Sequence, residues 1–456
     1  MQDYAPAEFQ VNPQPDNVAS LTKWDEDYTL TGIVRGQLNN FFETTERLPE
    51  LSLDSIRQPL FNSPVFYETE ISAGHLNRDF PHGSGQPDYD TNRLDGFIEF
   101  LYPKTYFGWL TFTPRLGFRG TYYSSTGNVT NTIFDNNSTT PSLLTVPTTP
   151  TVSGTQPLTK GGSTFRPVIT AGFESSFKIS RAYEDVEAHG WGLDGLRHVV
   201  QPYTDFSYVD SGKNPDNILQ FDRFNPSTQL APQDLAQFNS IDAISDWEIW
   251  RLGVRNRLET RRDNDNFGWL DLDTYVDVNI EEPNYPGITY RQGTFSNLFN
   301  NLHWNPLPWF GTQIDSQVPL SEKGFTEVNA TLSFMLNPDL KFDIGDQYIH
   351  NNPYFINSNL INFGTYFRIN DNWGVSASEQ YEMENHQLQV QSYKIHRDLS
   401  SWTASLGVQV IDNKYSGAGT NEYDVMLTFT LKDFPQISSP LSFQPAGFVE
   451  SGNNHQ

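Results

Sequence analysis

The feature that most constrains this chain is an alternation of apolar and polar residues, which recurs in segments about ten residues long. The stretch from Trp269 to Ile280 shows it clearly. One side carries Leu270, Leu272, Thr274, Val276, Val278 and Ile280, and the other carries Asp271, Asp273, Tyr275, Asp277 and Asn279. Because successive side chains of a strand point to opposite faces, the pattern predicts strands with one apolar and one charged face.

About 17 such segments follow one another, and ten residues is the length that a tilted strand needs to cross the hydrocarbon layer of a membrane. Helical periodicity is nearly absent. The fold class that we predict is all-β: a large antiparallel transmembrane β-barrel with roughly 16–18 strands, in the cell outer membrane.

The charged faces predict a hydrated interior, because unpaired charges in a dry core are costly. We expect these polar residues to face the lumen: Asp271, Asp273, Asp277, Asn279, Arg251, Arg255 and Arg257. Tryptophans near predicted strand ends fit an interfacial belt, and ordinary core packing is the alternative. They are Trp109, Trp269, Trp309, Trp373 and Trp402.

Composition excludes several classes of protein. The chain has no cysteine, which rules out disulfides, thiolate zinc sites and cysteine catalysis. A net charge of −26 opposes binding of nucleic acid. We find no convincing enzyme signature, and we therefore expect no catalytic residues, no cofactor and no resident metal. Asp242 and Asp246 resemble a carboxylate pair, but we interpret them as solvated loop residues.

The organisation that we predict has three parts: a polar N-terminal segment at 1–27, the barrel at 28–434, and a C-terminal tail at 435–456. Long connections lie near 124–163 and 210–246, and several other turns are short. Such asymmetry is typical of outer-membrane barrels. The Thr- and Ser-rich connection at 124–163 could instead be a disordered linker between two domains.

Several stretches together resemble the LptD (OstA-like) family of lipopolysaccharide-assembly proteins. The first runs from Tyr28 to Leu53 and contains a turn-like motif, Arg47, Leu48, Pro49, Glu50 and Leu51. The others are HVVQPYTDFSY from His198, FDRFN from Phe221, WRLGVRNRL from Trp250, and MLTFTLKDF from Met426. Their order along the chain carries the resemblance.

The resemblance implies that the chain inserts lipopolysaccharide into the outer leaflet through a hydrated lumen and a lateral seam. The last strand would form that seam with Tyr423, Val425, Leu427, Phe429 and Leu431. The implied partners are lipopolysaccharide, outer-membrane lipid, an LptE-like plug lipoprotein and a periplasmic Lpt bridge. The family barrel is larger and follows a jellyroll domain, so we expect this chain to be an N-terminally truncated piece.

Two other functions remain open from the sequence. A porin or solute-uptake barrel fits the strand pattern as well, and a long loop folded inward as a constriction would distinguish it. A soluble, secreted β-rich binding protein also has alternating strands, but it would need no lipid around it.

Overall fold

The structure is a computed structural model. It describes residues 17–38, 43–81, 86–128, 159–222, 228–262, 265–286, 291–320, 324–353, 355, 357–412, 421–432 and 434–443. The motif residues Arg223, Phe224 and Asn225 lie outside this part of the chain, as does most of the connection at 124–163.

Twenty-four strands make up nearly all of the regular structure. The first twelve are β1 (Asn17–Trp24), β2 (Tyr28–Gly36), β3 (Thr44–Pro59), β4 (Phe66–Asp79), β5 (Tyr89–Leu101), β6 (Lys104–Tyr106), β7 (Leu110–Tyr123), β8 (Thr126–Asn128), β9 (Thr159–Gly161), β10 (Thr164–Ser176), β11 (Ile179–Ala188) and β12 (Leu193–Ser211). The second twelve are β13 (Trp247–Arg262), β14 (Asp265–Glu281), β15 (Leu298–Leu307), β16 (Phe310–Val318), β17 (Thr326–Asn337), β18 (Leu340–His350), β19 (Ser358–Asn370), β20 (Trp373–Glu382), β21 (Gln387–Asp398), β22 (Trp402–Asp412), β23 (Asn421–Leu431) and β24 (Phe434–Phe443).

Helices are short in the described residues: four 3₁₀ helices at His189–Trp191, Pro215–Asn217, Leu235–Gln237 and Ile241–Ala243. None of the helices in this part of the chain is long and apolar enough to cross a membrane.

One sheet contains 22 of the strands, and β8 pairs with β9 in a separate hairpin. Every strand pairing in the large sheet is antiparallel, and most strands pair with the next strand in sequence. Two strands each pair with two successive strands along one edge. β7 pairs with β5 and then with β6, and β12 pairs with β11 and then with β10. Within the described residues no ladder joins β1 to β24, which are therefore the two edges.

The two faces of the sheet differ in the way that the alternation predicts. On β7, Leu116 and Phe118 are exposed, whereas the alternating Arg115 and Arg119 are buried. Exposed apolar rows recur on other strands: Trp250, Leu252 and Val254 on β13, and Leu406 and Val408 on β22. Water does not stabilise such rows, and the acyl chains of a bilayer do. The predicted all-β fold and outer-membrane location are confirmed, and the soluble alternative is wrong.

The two ends of the sheet also differ. One end carries brief turns, such as 308–309 between β15 and β16 and 371–372 between β19 and β20. The opposite end carries the long connections, including the one from β12 to β13. We call them the turn end and the loop end; in outer-membrane barrels long loops face outward. Trp109, Trp269, Trp309, Trp373 and Trp402 all lie at or near the turn end, three of them more than two-fifths exposed.

The structure corrects three expectations about strands. It contains more strands than the 16–18 that we predicted, because short strands such as β6 carry too few residues to show an alternation. The segment at 1–27 contains β1, whose eight residues pair with β2. The segment at 435–456 contains most of β24, which pairs with β23.

The last correction changes the position of the predicted seam. Tyr423, Val425, Leu427, Phe429 and Leu431 lie on β23, which is flanked by β22 on one side and β24 on the other. They are therefore not on the edge strand. The sequence did not reveal this because Pro435 and Pro440 make β24 a poor strand candidate, although proline is tolerated at a sheet edge.

The predicted turn at Arg47–Leu51 is also wrong. These residues lie inside β3, where the pairing with β4 shifts register between Arg47 and Glu50. The bulge accommodates Pro49, whose nitrogen carries no hydrogen for the ladder. Arg47 pairs with Glu50 on the same strand.

Candidate functional site

The connection between β12 and β13 is the most distinctive part of the interior; we call its described residues, 212–222 and 228–246, the inner loop. It joins neighbouring strands, since Val209 lies directly opposite Trp247 in the ladder. A hairpin at this place needs roughly two to five residues. A loop of this length is therefore not required to connect the strands, and it is instead folded against their inner wall.

Apolar contacts hold the inner loop on the wall. Leu235, Phe238 and Ile244 pack in one buried cluster with wall residues that include Val168 and Trp247. A second cluster joins loop residues Leu219 and Phe221 to Leu76 and Tyr89 of the wall. Burying each such side chain contributes about 1.5–3 kcal/mol.

These contacts lie on the polar side of the sheet. Tyr123 and Val168 are fully buried beneath the loop, whereas Tyr122 and Ile169, their neighbours in sequence, are exposed on the apolar face. The inner loop therefore occupies the lumen side of the wall.

The centre of the site is a buried ion network. Nη1 of Arg93, on β5, donates to Asp222 at 2.7 Å and to Asp242 at 3.1 Å. Asp242 also accepts hydrogen bonds from the Tyr123 hydroxyl at 2.7 Å, from the backbone N–H of Phe221 at 2.9 Å and from that of Asp222 at 3.2 Å. Asp242 has no exposed surface, and its carboxylate joins two separate parts of the inner loop to one wall arginine.

A second wall arginine binds the loop backbone. Arg166, on β10, is fully buried and donates to the carbonyl oxygen of Asp242 at 3.1 Å. Gln220 donates to the same carbonyl oxygen at 3.1 Å, and its own carbonyl oxygen accepts the Tyr89 hydroxyl at 2.7 Å. Charge-assisted bonds of this kind are roughly twice as strong as neutral ones.

The pKa values of the two loop carboxyl groups are shifted in opposite directions. Burial acts to raise the pKa of Asp242, but Arg93, the Tyr123 hydroxyl and the Phe221 amide together lower it below 3.8. For Asp222, burial outweighs Arg93 and the pKa is raised. The site therefore stabilises a negative charge on Asp242 and disfavours one on Asp222.

Acid should release the inner loop. The lowered pKa of Asp242 means that its contribution to stability is present above pH 3.8 and is lost as the pH falls through the folded value. The raised pKa of Asp222 has the opposite effect on stability, because protonation of this carboxyl stabilises the folded loop. That effect occurs above pH 3.8, so the two carboxyls act in different pH ranges. We expect hydrogen exchange of the loop amides, corrected for intrinsic rates, to accelerate below pH 3.8. Protection that stays constant or increases there would contradict this assignment.

The interpretation of Asp242 as a solvated residue is wrong, and that of Asp246 is right. Asp246 is exposed and accepts the Ser211 backbone N–H at 2.6 Å. The burial of Asp242 was not predicted, because its carboxylate pairs with Arg93, which is 149 positions away in sequence. Arg93, Tyr123 and Arg166 were missed altogether; the signal was their inward position in alternating strands.

The predicted lumen residues form a ladder of ion pairs between β13 and β14. Arg251 pairs with Asp277 at 2.7 Å, Arg255 with Asp273 at 3.0 Å and Arg257 with Asp271 at 2.8 Å. The partners lie directly opposite one another in the ladder. Asn279, one step nearer the loop end, donates to the Gly293 carbonyl oxygen at 2.8 Å.

Exposure along this ladder changes with height in the wall. The Arg251 side chain is 20% exposed, whereas those of Arg255 and Arg257 are 45% and 46% exposed. Arg251 lies towards the loop end and Arg257 towards the turn end. The wall is thus covered near the inner loop and open to water below it.

No family model matches the sequence, and no curated protein matches it. Solved structures do match. One is the ferric preacinetobactin receptor BauA of Acinetobacter baumannii, 11% identical over 92% of this chain and 72% of the receptor, with a TM-score of 0.38. Another is the copper transporter OprC, 10% identical over 91% of this chain and 69% of that chain, with a TM-score of 0.36. A third is the siderophore receptor PiuA of Acinetobacter baumannii, 9% identical over 91% and 73%, with a TM-score of 0.29.

These matches correct the predicted function. Insertion of lipopolysaccharide is contradicted, because the matching structures are named as siderophore receptors and a copper transporter rather than as lipopolysaccharide-assembly proteins. The resemblance to the LptD family, the partners that it implies and the expected absence of catalytic residues stay predictions. At these TM-scores the matches do not identify a substrate, so the proposal below rests on the geometry of the interior.

Proposed function

We propose that this chain is a solute-uptake barrel of the outer membrane, whose lumen is narrowed by the inner loop. The observation that carries the proposal is the attachment of residues 212–246 to the lumen wall through Arg93, Asp222 and Asp242. A long loop folded inward is the feature that separates an uptake barrel from the other functions that the sequence left open.

The inner loop reaches deep into the lumen. Its Gln220 carbonyl oxygen binds Tyr89, the first residue of β5 at the loop end. Its Asp234 lies beside Glu99, near the end of the same strand at the turn end. These wall positions are ten residues apart in sequence, or about 33 Å along an extended strand. The inner loop therefore lies along about half of the height of the wall, on the side of the loop end, since β6 continues the wall beyond Glu99.

The open part of the wall supports passage of small polar solutes. Paired charges of both signs line it at Arg255, Asp273, Arg257 and Asp271. Such a surface remains hydrated, which favours polar over apolar solutes. The proposal includes direct pairing of the two edges, β1 and β24, since an unpaired strand edge is not stable in lipid.

Loop replacement tests the proposal. Residues 213–245 are exchanged for Asn-Gly. Asp210 and Asp246, one step beyond the paired Val209 and Trp247, are then joined by a four-residue connection, which a hairpin accommodates. We expect the full-length protein to show a small conductance in planar bilayers, and the replaced variant a conductance several times larger. Equal conductances, with both proteins folded and inserted, would contradict a lumen that the loop narrows.

A further inference from the structure

Three carboxylates meet on the lumen wall away from the Arg93 network. Glu68 on β4 and Glu99 on β5 lie directly opposite one another in the ladder. Asp234 of the inner loop approaches both, so that one oxygen from each of the three carboxylates lies within 4.8 Å of the others. Like charges directly opposite in a sheet destabilise it. Folding of the loop brings a third negative charge to this pair.

Glu99 is the residue that this arrangement leaves unexplained. It has no exposed surface, and among the described residues no donor hydrogen-bonds either of its carboxylate oxygens. Asp234 is 8% exposed, so it too is cut off from bulk water. An ionised carboxylate with neither a hydrogen bond nor water loses several kcal/mol of solvation, and it is stabilised there either by a proton or by a bound cation.

Two arginines lie close to the three carboxylates, and each of them already forms an ion pair. Arg57 is on the Glu68 side, with its Nε 2.9 Å from that carboxylate. Arg115 is directed to Asp205 at 2.7 Å and to Glu174 at 3.6 Å. Both guanidinium groups also interact electrostatically with Glu99 and Asp234. Two arginines therefore serve five carboxylates, and the cluster keeps an excess of negative charge.

We propose that Glu68, Glu99 and Asp234 bind a calcium ion that clamps the inner loop to the wall. Calcium prefers oxygen ligands at 2.3–2.6 Å, so two of its ligands stand up to about 5 Å apart, as these carboxylate oxygens do. Magnesium demands a nearly ideal octahedron and usually keeps several water ligands, so a buried site with three protein carboxylates favours calcium. Binding of the ion follows from the cluster alone; its effect on solute passage rests on the proposed function.

The ion has a structural consequence that the Arg93 network does not supply. That network fastens the inner loop near the loop end, whereas Glu68 and Glu99 lie further towards the turn end, opposite the middle of β7. Calcium would fix the deepest part of the loop through Asp234. Without calcium, repulsion among the three carboxylates would loosen this part and leave the upper attachment in place.

Calcium titration of the full chain tests the site. The protein is purified in detergent, freed of divalent ions with a chelator, and titrated by calorimetry. We expect one bound ion per chain, with affinity weakened at least about tenfold in Glu99→Gln and in Asp234→Asn. Glu384→Gln removes the same charge from an exposed turn and should bind as the unaltered protein does.

Two outcomes would overturn the site: no binding to the unaltered protein at about 10 mM calcium, or unchanged affinity in both cluster variants. Because Glu99→Gln removes the unpaired charge, its fold should survive chelation at least as well as that of the unaltered protein. Loss of fold in that variant alone, with and without calcium, would mean that Glu99 has a structural partner and would also count against the site.

Conductance measurements test the calcium clamp and the proposed uptake function separately. We expect chelation to raise the conductance of the unaltered protein severalfold, and to change that of Glu99→Gln little. Calcium binding without any change in conductance would overturn the clamp and leave the ion site standing. If replacing residues 213–245 also leaves conductance unchanged, the proposed function fails independently of calcium.

Discussion

Replacing Asp242 with asparagine should free the inner loop from the wall. The amide keeps the shape of the side chain but places an NH₂ group where one carboxylate oxygen accepts the Phe221 and Asp222 backbone N–H groups. It also removes the charge that faces Arg93 inside the wall. Breaking a buried ion pair from one side costs about 3–5 kcal/mol.

We expect Asp242→Asn to raise hydrogen exchange of the loop amides by about two to three orders of magnitude, while the strands keep their protection. Conductance should rise at the same time. Asp222→Asn is the comparison variant, because the asparagine oxygen can still accept from Arg93, whereas Asp242 also accepts from the Tyr123 hydroxyl and from two backbone N–H groups. Equal effects of the two variants would contradict a network centred on Asp242.

Replacing Leu406 with arginine should destabilise the barrel in a bilayer. Leu406 is 51% exposed near the middle of β22, with Ile395 and Leu427 opposite it on the neighbouring strands. A charge on the lipid face near the midplane costs about 2–4 kcal/mol. Guanidinium titration of the protein folded in phospholipid vesicles measures this loss.

The control lies on the other face of the same strand. Gln409 lies opposite Asp424 on β23, so Gln409→Arg adds a charge to the lumen beside a carboxylate. We expect its unfolding free energy to change by less than about 1 kcal/mol. A larger loss for Gln409→Arg than for Leu406→Arg would show that we have assigned the two faces the wrong way round.

The sequence predicted the long central strands of the sheet better than the short strands and the strand at its C-terminal edge. Alternation along β7, β13, β14 and β22 gave the apolar and the polar face of each strand. Short strands and proline-containing strands escaped it, as β6 and β24 show. Proline at Pro49 was interpreted as part of a turn, although a bulge inside β3 accommodates it.

The candidate site was predictable in part. The partners of the ladder, Arg251 with Asp277 and Arg257 with Asp271, are close enough in sequence for a hairpin to bring them together. The Arg93 network was not predictable, because Asp222 and Asp242 belong to a loop without periodicity. Their burial depends on where that loop folds, and its composition is that of an ordinary solvated connection.

The sequence by itself determined that this chain forms long two-faced strands with charge on one side, because alternation is a local property of each strand. Only the tertiary structure decided that the inner loop turns inward and that Asp234 joins Glu68 and Glu99. Those contacts bring together side chains from distant strands and a loop, and their energy depends on strand register and on exclusion of water. Neither quantity is contained in any one segment of the sequence.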